Sequence, residues 1–289
     1  MSRSRQIYYM VEYAIVWPFL KLLRLLPFRL RIAIGGRVLR TVLNSLKSAR
    51  DRIDGNLRKI MPDLSDTERH AIRKKVGHTF GRTIVEILNN DTYTKQTHLF
   101  HASGPGLQAI KDRPSGTGFI LVSGHFGAWD APRHYLKGQG IEVGAIYRPS
   151  NNMYFDRIFL KQIGFGGQPI FAKGRRGTME MVKHVRGGGA VAILLDQKYK
   201  KGEMLDFLGH PASTSLAAAE MALKYNVPFI PVYGVRRDDS LDVDIVFEAP
   251  IPPTDARTMS QAANDSLGAM VRKHPGQWYW LHQRWRKGR

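Results

Sequence analysis

His125 and Asp130 are the two residues whose types and spacing most directly suggest chemistry. They lie in the run Phe119-Ile120-Leu121-Val122-Ser123-Gly124-His125-Phe126-Gly127-Ala128-Trp129-Asp130. It reads as a buried strand, a glycine turn and the start of a helix. A neutral imidazole can take a proton from a hydroxyl near neutral pH. A carboxylate on its other nitrogen fixes the tautomer and stabilises the imidazolium that forms. The four residues between the pair form a turn that could fold Asp130 back toward the ring. No serine or cysteine nucleophile is then needed, because a substrate hydroxyl can attack directly. Gly124 and Gly127 would let a substrate approach the backbone closely. The competing reading makes His125 a satisfied strand-end histidine and Asp130 the cap of a helix with Pro132 in its first turn.

The elements that must hold this pair divide the chain in two. Residues 1–100 read as helical. Ile7 to Leu26 is the longest apolar stretch, interrupted by Glu12, Pro18, Lys21 and Arg24. It predicts an N-terminal helix over residues 1–30 that associates with a membrane, by lying in it or by spanning it. Tyr8, Tyr9, Tyr13, Trp17, Lys21, Arg24 and Arg29 would anchor it at the interface. The alternative is a helix that covers the domain. Arg31 to Lys59 should be helical with a break near Gly55. Ser65-Asp66-Thr67-Glu68 is a capping-box pattern and should start a helix running to about Asn89. From about residue 115 strands alternate with helices. Strands are expected at 119–123, 143–147, 168–171, 190–195, 229–233 and 243–247. Helices are expected at about 131–137, 154–163, 177–186, 216–225 and 260–272. This predicts an α/β fold with a mainly parallel central sheet flanked by helices, the last strands mixed in direction. The domain plan is an N-terminal segment (1–30) and one domain (31–289), made of a helical layer (31–100) and an α/β core (101–289). Asp196 and Gln197 end one of the buried strands, and in open α/β sheets functional groups gather at such carboxyl ends.

Composition narrows the setting. The 289 residues are 43% hydrophobic, so a substantial core can form, and there is no cysteine, which excludes a disulfide scaffold and a thiol nucleophile. The net charge is +20. Both ends are basic and aromatic, which suits anionic membrane lipid better than a nucleic-acid groove. No zinc-finger or RNA-binding motif accompanies the charge, so nucleic acid is not an expected partner. The ten histidines are scattered without metal-ligand spacing, so no metal is expected.

The segment Ser123 to Asp130 resembles the His-x4-Asp/Glu motif of glycerolipid-type acyltransferases. Further blocks narrow the resemblance to the late, lauroyl/myristoyl-type lipid A biosynthesis acyltransferases. They are Ile146-Tyr147-Arg148-Pro149-Ser150-Asn151-Asn152, the run from Gly189 to Lys198 containing Leu195-Asp196-Gln197, Asp206-Phe207-Leu208-Gly209, and Pro275-Gly276-Gln277-Trp278-Tyr279-Trp280-Leu281-His282-Gln283-Arg284-Trp285. The likeness runs over nearly the whole chain. Many lipid A members carry Glu where this chain has Asp130.

The resemblance implies transfer of a fatty acyl chain from acyl carrier protein, as donor substrate and without a further cofactor, to a hydroxyl of a lipid A precursor. It would occur at the cytoplasmic face of the inner (plasma) membrane. His125 would be the general base and Asp130 its orienting partner. Arg148 would bind phosphate or stabilise the oxyanion, with Asp196, Gln197 and Gly127 also contributing to substrate binding. Asp196 would hold Arg148 or position substrate; otherwise it caps a loop. Lys173, Arg175 and Arg176 form a glycine-flanked basic cluster that would contact lipid phosphate or the acidic carrier protein. Trp278, Trp280 and Trp285, with His282 and Arg284, either sit at the lipid interface or dock the C-terminus on the core. Two rival functions stand beside this one. The first is an acyltransferase for another glycolipid or a lysophospholipid. The second is a non-catalytic basic protein that coats membrane or nucleic acid.

Overall fold

The structure is a computed structural model and describes residues 3–238 and 240–285. The C-terminal basic residues Arg286, Lys287 and Arg289 therefore fall outside the described residues. The helical layer comprises α1 (Arg3–Leu23), α2 (Phe28–Ser45), α3 (Lys47–Ile60), α4 (Asp66–Leu88) and the single turn α5 (Asn90–Tyr93). The capping box forms as expected: Ser65 Oγ accepts from the Glu68 N–H, and Glu68 Oε2 accepts from the Ser65 N–H at 2.8 Å. The break expected near Gly55 falls instead at Leu46, whose extended backbone separates α2 from α3. Gly55 sits inside α3 facing open space, where its cost is only the helix propensity of glycine, about 1 kcal/mol.

The remainder alternates: β1 (Phe100–Ser103), α6 (Pro105–Asp112), β2 (Ile120–Ser123), α7 (Ala131–Gly138), β3 (Val143–Tyr147), α8 (Met153–Ile163), β4 (Ile170–Ala172), α9 (Arg175–Arg186), β5 (Ala190–Leu194), β6 (Glu203–Phe207), β7 (His210–Thr214), α10 (Ala217–Tyr225), β8 (Phe229–Arg236), β9 (Val243–Phe247) and α11 (Ala256–Lys273). Seven strands form one sheet in the order β1-β9-β8-β2-β5-β3-β4. The run β8-β2-β5-β3-β4 is parallel, while β9 pairs antiparallel with β8 and carries β1 parallel to itself. β6 and β7 make a separate hairpin. Its turn needs positive φ at Leu208 and Gly209 (60° and 86°). A leucine in the first of these positions hides the turn from a sequence reading that looks for Asn-Gly or Asp-Gly.

β2 lies at the centre of the sheet, which explains its unbroken apolar run. Phe119 and Leu121 pack into one core cluster with Ala131 and Leu136 of α7. Ile120 and Val122 point to the other face, among Met181 and Val185 of α9 and Met221 of α10. Each such buried aliphatic side chain contributes about 1.5–3 kcal/mol. With both faces covered, polar groups on these strands can reach solvent only at the strand ends.

α1 packs on α8. Tyr13 meets the rings of Tyr154 and Phe155, and Asn152 Nδ2 donates to Tyr9 O and Glu12 Oε2 at 3.1 and 2.9 Å. Ile7, Tyr8, Met10 and Val11 stay half-exposed or more. Among the described residues no helix is long and apolar enough to cross a membrane.

Asp130 occupies the position before α7 yet makes no capping hydrogen bond. Its carboxylate is buried and accepts from Arg133 Nη1 at 2.6 Å and Asn90 Nδ2 at 3.0 Å, with His134 Nε2 at 3.4 Å. Arg133 in turn donates to the carbonyls of Val143, Ile163 and Gly167. The pair thus ties α7 to β3 and to the turn after α8. Burial alone would raise this carboxyl; Arg133 and His134 outweigh it and hold it well below the usual carboxylate range. Asp130→Asn leaves the Arg133 charge buried without its counter-ion and should lower unfolding free energy by about 3–5 kcal/mol, read by denaturant titration at pH 7. Because folding depresses this carboxyl, its contribution is complete above the unfolded value near 4 and disappears as pH falls through the folded one. The gap between wild type and variant should therefore narrow below about pH 4.

Candidate active site

The site is built by strand register. β2 and β5 are neighbours, with Ser123 opposite Leu194. His125 lies two residues beyond the end of β2 and Asp196 two beyond the end of β5, and the Leu195 N–H still donates to Ser123 O at 2.9 Å. Equal overhangs from paired strands bring the two side chains together. Asp196 Oδ1 lies 2.8 Å from His125 Nδ1, and Asp196 Oδ2 accepts the His125 backbone N–H at 2.8 Å. The same Oδ2 accepts from Trp278 Nε1 at 2.9 Å. The Asp196 side chain has no solvent exposure, whereas His125 keeps 20%.

Burial would raise the Asp196 carboxyl, but His125, its hydrogen bonds and the nearby His282 hold it well below the usual carboxylate range. It is therefore an ionised acceptor, and His125 Nδ1 must be the donor. That leaves Nε2 of the neutral ring as the proton acceptor. The carboxylate that orients His125 is thus Asp196, and the expected Asp130 partnership is corrected. The physical reason is the turn between them. Gly127 has φ +54°, and its position admits no side chain, since a Cβ would lie 2.0 Å from Gly234 O. Beyond it the chain turns toward α7, where Asp130 meets Arg133.

The C-terminal block holds the His125 loop from the other side. Phe126 and Trp278 form an antiparallel bridge, Gly127 N–H donates to Gln277 O at 2.8 Å, and Tyr279 N–H donates to His125 O at 3.0 Å. Gln277 also clasps the end of β8, accepting from the Arg236 N–H and donating to Arg236 O at 2.9 and 3.0 Å. Gly127 therefore has its N–H committed and is not an oxyanion donor. Trp278 and Trp280 are fully buried and Arg284 nearly so. The lipid-interface alternative for these residues gives way to docking on the core. Trp278 as a donor to the key carboxylate is the functional residue that sequence reasoning missed. Its only signal was membership of a recognised block.

Rings surround the exposed face of His125. Trp129 and His282 lie 5.2 and 4.8 Å away by centroid, and Phe80 stacks against Trp129. His282 Nε2 is 3.9 Å from Asp196 Oδ2. Burial pulls the His282 ring down to about 4, helped by His125 and Arg284 against the pull of Asp196. It is neutral at physiological pH. His125, Asp196 and His282 offer ligand atoms within 4.8 Å of one another, a span a metal ion could bridge. The three N–H donors already on Asp196 make this arrangement a hydrogen-bonded dyad.

The other expected site residues occupy the same sheet edge but not the same cluster. Arg148 follows β3 and is exposed. Asp196 is spent on His125 and Trp278, so it does not hold Arg148. Gln197 is exposed, and its carbonyl accepts from Arg284 Nη1 at 3.3 Å. Lys173, Arg175 and Arg176 follow β4 and are all exposed, with Arg176 paired to Glu180 at 2.8 Å.

Known proteins resemble this chain along most of its length. The family model described as "Bacterial lipid A biosynthesis acyltransferase" matches residues 1–287. A lipid A biosynthesis acyltransferase of Haemophilus influenzae is 24% identical over 270 residues, covering 92% of this chain and 84% of its own. Lipid A biosynthesis acyltransferase 2 of Shigella flexneri is 23% identical over 263 residues, covering 88% and 83%. A central strand ending at His125, a buried carboxylate behind it and a match from end to end lead to one assignment: the chain belongs to the bacterial lipid A biosynthesis acyltransferase family.

Proposed function

We propose that this protein transfers a fatty acyl chain from acyl carrier protein to a hydroxyl of a lipid A precursor at the cytoplasmic face of the inner membrane. The observation that carries the mechanism is the 2.8 Å contact of His125 Nδ1 with the fully buried Asp196. The acceptor hydroxyl attacks the thioester carbonyl while its proton passes to His125 Nε2. Asp196 stabilises the imidazolium. The tetrahedral intermediate collapses, the C–S bond breaks, and the imidazolium returns the proton to the departing thiolate. An ester and a free carrier thiol result. Arg148, exposed at the same edge, is available to the oxyanion or to a substrate phosphate. The exposed cations Lys173, Arg175 and Arg176 offer a docking face for an acidic carrier protein.

The apolar side of α1 supports the membrane reading. Ile7 and Val11 are half-exposed one turn apart, while the opposite side of the helix is held by α8. An exposed apolar strip on a helix held from behind is available to a membrane interface.

Two outcomes follow. Purified variants offered acyl carrier protein thioester with a lipid A precursor, and separately with a lysophospholipid, should divide the two aspartates. His125→Ala and Asp196→Asn should lose about 10³–10⁴-fold in kcat on the lipid A precursor. Asp130→Asn, corrected for its folded fraction, should stay within about tenfold of wild type. Equal losses at Asp130 and Asp196 would contradict the dyad, and faster transfer to lysophospholipid would move the acceptor class. Replacing Ile7 and Val11 together by Glu should abolish sedimentation with anionic vesicles and leave the unfolding midpoint unchanged. Unaltered sedimentation would remove α1 as the membrane contact.

A further inference from the structure

A second polar site lies on the β8 side of the same sheet edge. A cavity of about 590 Å³ opens between α2 and α4 and is closed by the connection after β8. This falls within the range of about 300–1,000 Å³ usual for small-ligand sites and exceeds what one phosphate would fill. Its walls carry Arg37 and Arg40 from α2, Lys74, Lys75 and Arg82 from α4, and Arg236 from the end of β8. Among the described residues, Asp238 is the acid in its lining.

The charges are not balanced locally. Lys75 is spent on Asp238, and Arg236 on Glu86 at 2.8 Å. Arg82 donates to the carbonyls of Asp238 and Ser240. Arg37, Arg40 and Lys74 are exposed and have no acidic partner among the described residues. Arg236 Nε is buried and has no hydrogen bond among the described residues. His78, also in the wall, is pulled down to about 4, first by burial and then by Arg82, Arg40, Arg236 and Arg37.

The packing forces these like charges together. A Cβ on Gly77 would lie 2.8 Å from Arg40 Cα, and one on Gly81 would lie 2.3 Å from Gly35 O. α2 and α4 therefore touch backbone to backbone, which holds the stems of the cations beside that contact close together and leaves their like-charge repulsion in place. A polyvalent anion would relieve it. Guanidinium groups suit phosphate because they offer paired donors. The cavity also borders the catalytic loop. Gln277 lines it, and the same residue's carbonyl holds the Gly127 N–H, two residues from His125.

We propose that this cavity binds a phosphate group, carried as a monoester by the headgroup of the acceptor lipid or present as free inorganic phosphate. The headgroup form rests on the acyl-transfer reading above, with the phosphate in the cavity and an acceptor hydroxyl at His125 across the Gln277 turn.

The test uses the full-length protein and Arg40→Gln combined with Lys74→Gln, two exposed positions outside the hydrogen-bonded framework. Calorimetric titration with inorganic phosphate reads the site without turnover. Transfer kinetics with the acceptor lipid, intact and after phosphatase treatment, reads the headgroup. Each lost cation should weaken phosphate contact about tenfold. For the headgroup, the variant should raise KM for the intact acceptor 10- to 100-fold, leave kcat near wild type, and leave KM for the dephosphorylated acceptor unchanged. For free phosphate, calorimetry should show binding to wild type that the variant loses, with both acceptors handled alike. Equal KM for all combinations together with no phosphate binding by wild type would overturn the site. If wild type transfers to no lipid acceptor yet binds phosphate in a way the variant does not, the function fails and the anion site stands.

Discussion

A carboxylate without solvent contact, accepting two N–H groups from His125 and one from Trp278, is the constraint on which the site depends. Burying such a charge costs several kcal/mol unless every lone pair is used. The protein meets that cost by bringing together two neighbouring strand ends and the C-terminal turn. Ring, loop and turn are consequently fixed relative to one another by one group. A base held in one tautomer, with one face partly open, is what hydroxyl activation requires.

The same chain buries a second carboxylate, five residues after His125, for a different purpose. Asp130 and Arg133 join α7 to β3 and to the turn after α8. Both aspartates are depressed carboxyls in dry surroundings, so electrostatics alone does not separate them. Their partners do. Asp130 faces a guanidinium that is itself saturated by carbonyls, whereas Asp196 faces an imidazole that can gain and lose a proton. The first arrangement is a fastener for the wall of the site, and the second is its working part.

Much of this was legible from sequence. The strand, glycine turn and helix around His125, the alternation of the core, and the Ser65 capping box are local signals, and local physics decides them. The partner of His125 was not legible, because it lies 71 positions away and is set by the register of β2 against β5. Proximity in sequence favoured Asp130, and the positive-φ turn at Gly127 carried that residue out of reach. The C-terminal tryptophans left two alternatives open for a related reason: aromatic and basic residues near a terminus look alike whether they face lipid or close a core, and burial decides for the core. The place of Arg148 after a strand end was legible, since strand ends can be read, but side-chain contacts across that edge cannot. The cationic cavity escaped because it is made by a helix crossing, in which Gly35, Gly77 and Gly81 matter through their position against each other.

The central claim is that Asp196 fixes the proton of His125 on Nδ1. Nitrogen-15 NMR of the imidazole at neutral pH tests it most directly, with His125→Gln used to assign the resonance. The account predicts a single Nδ1–H tautomer with a strongly hydrogen-bonded proton in wild type and in the folded Asp130→Asn protein. In Asp196→Asn that tautomer should be lost. An Nε2–H tautomer in wild type, or an unchanged Nδ1–H signal in Asp196→Asn, would contradict it.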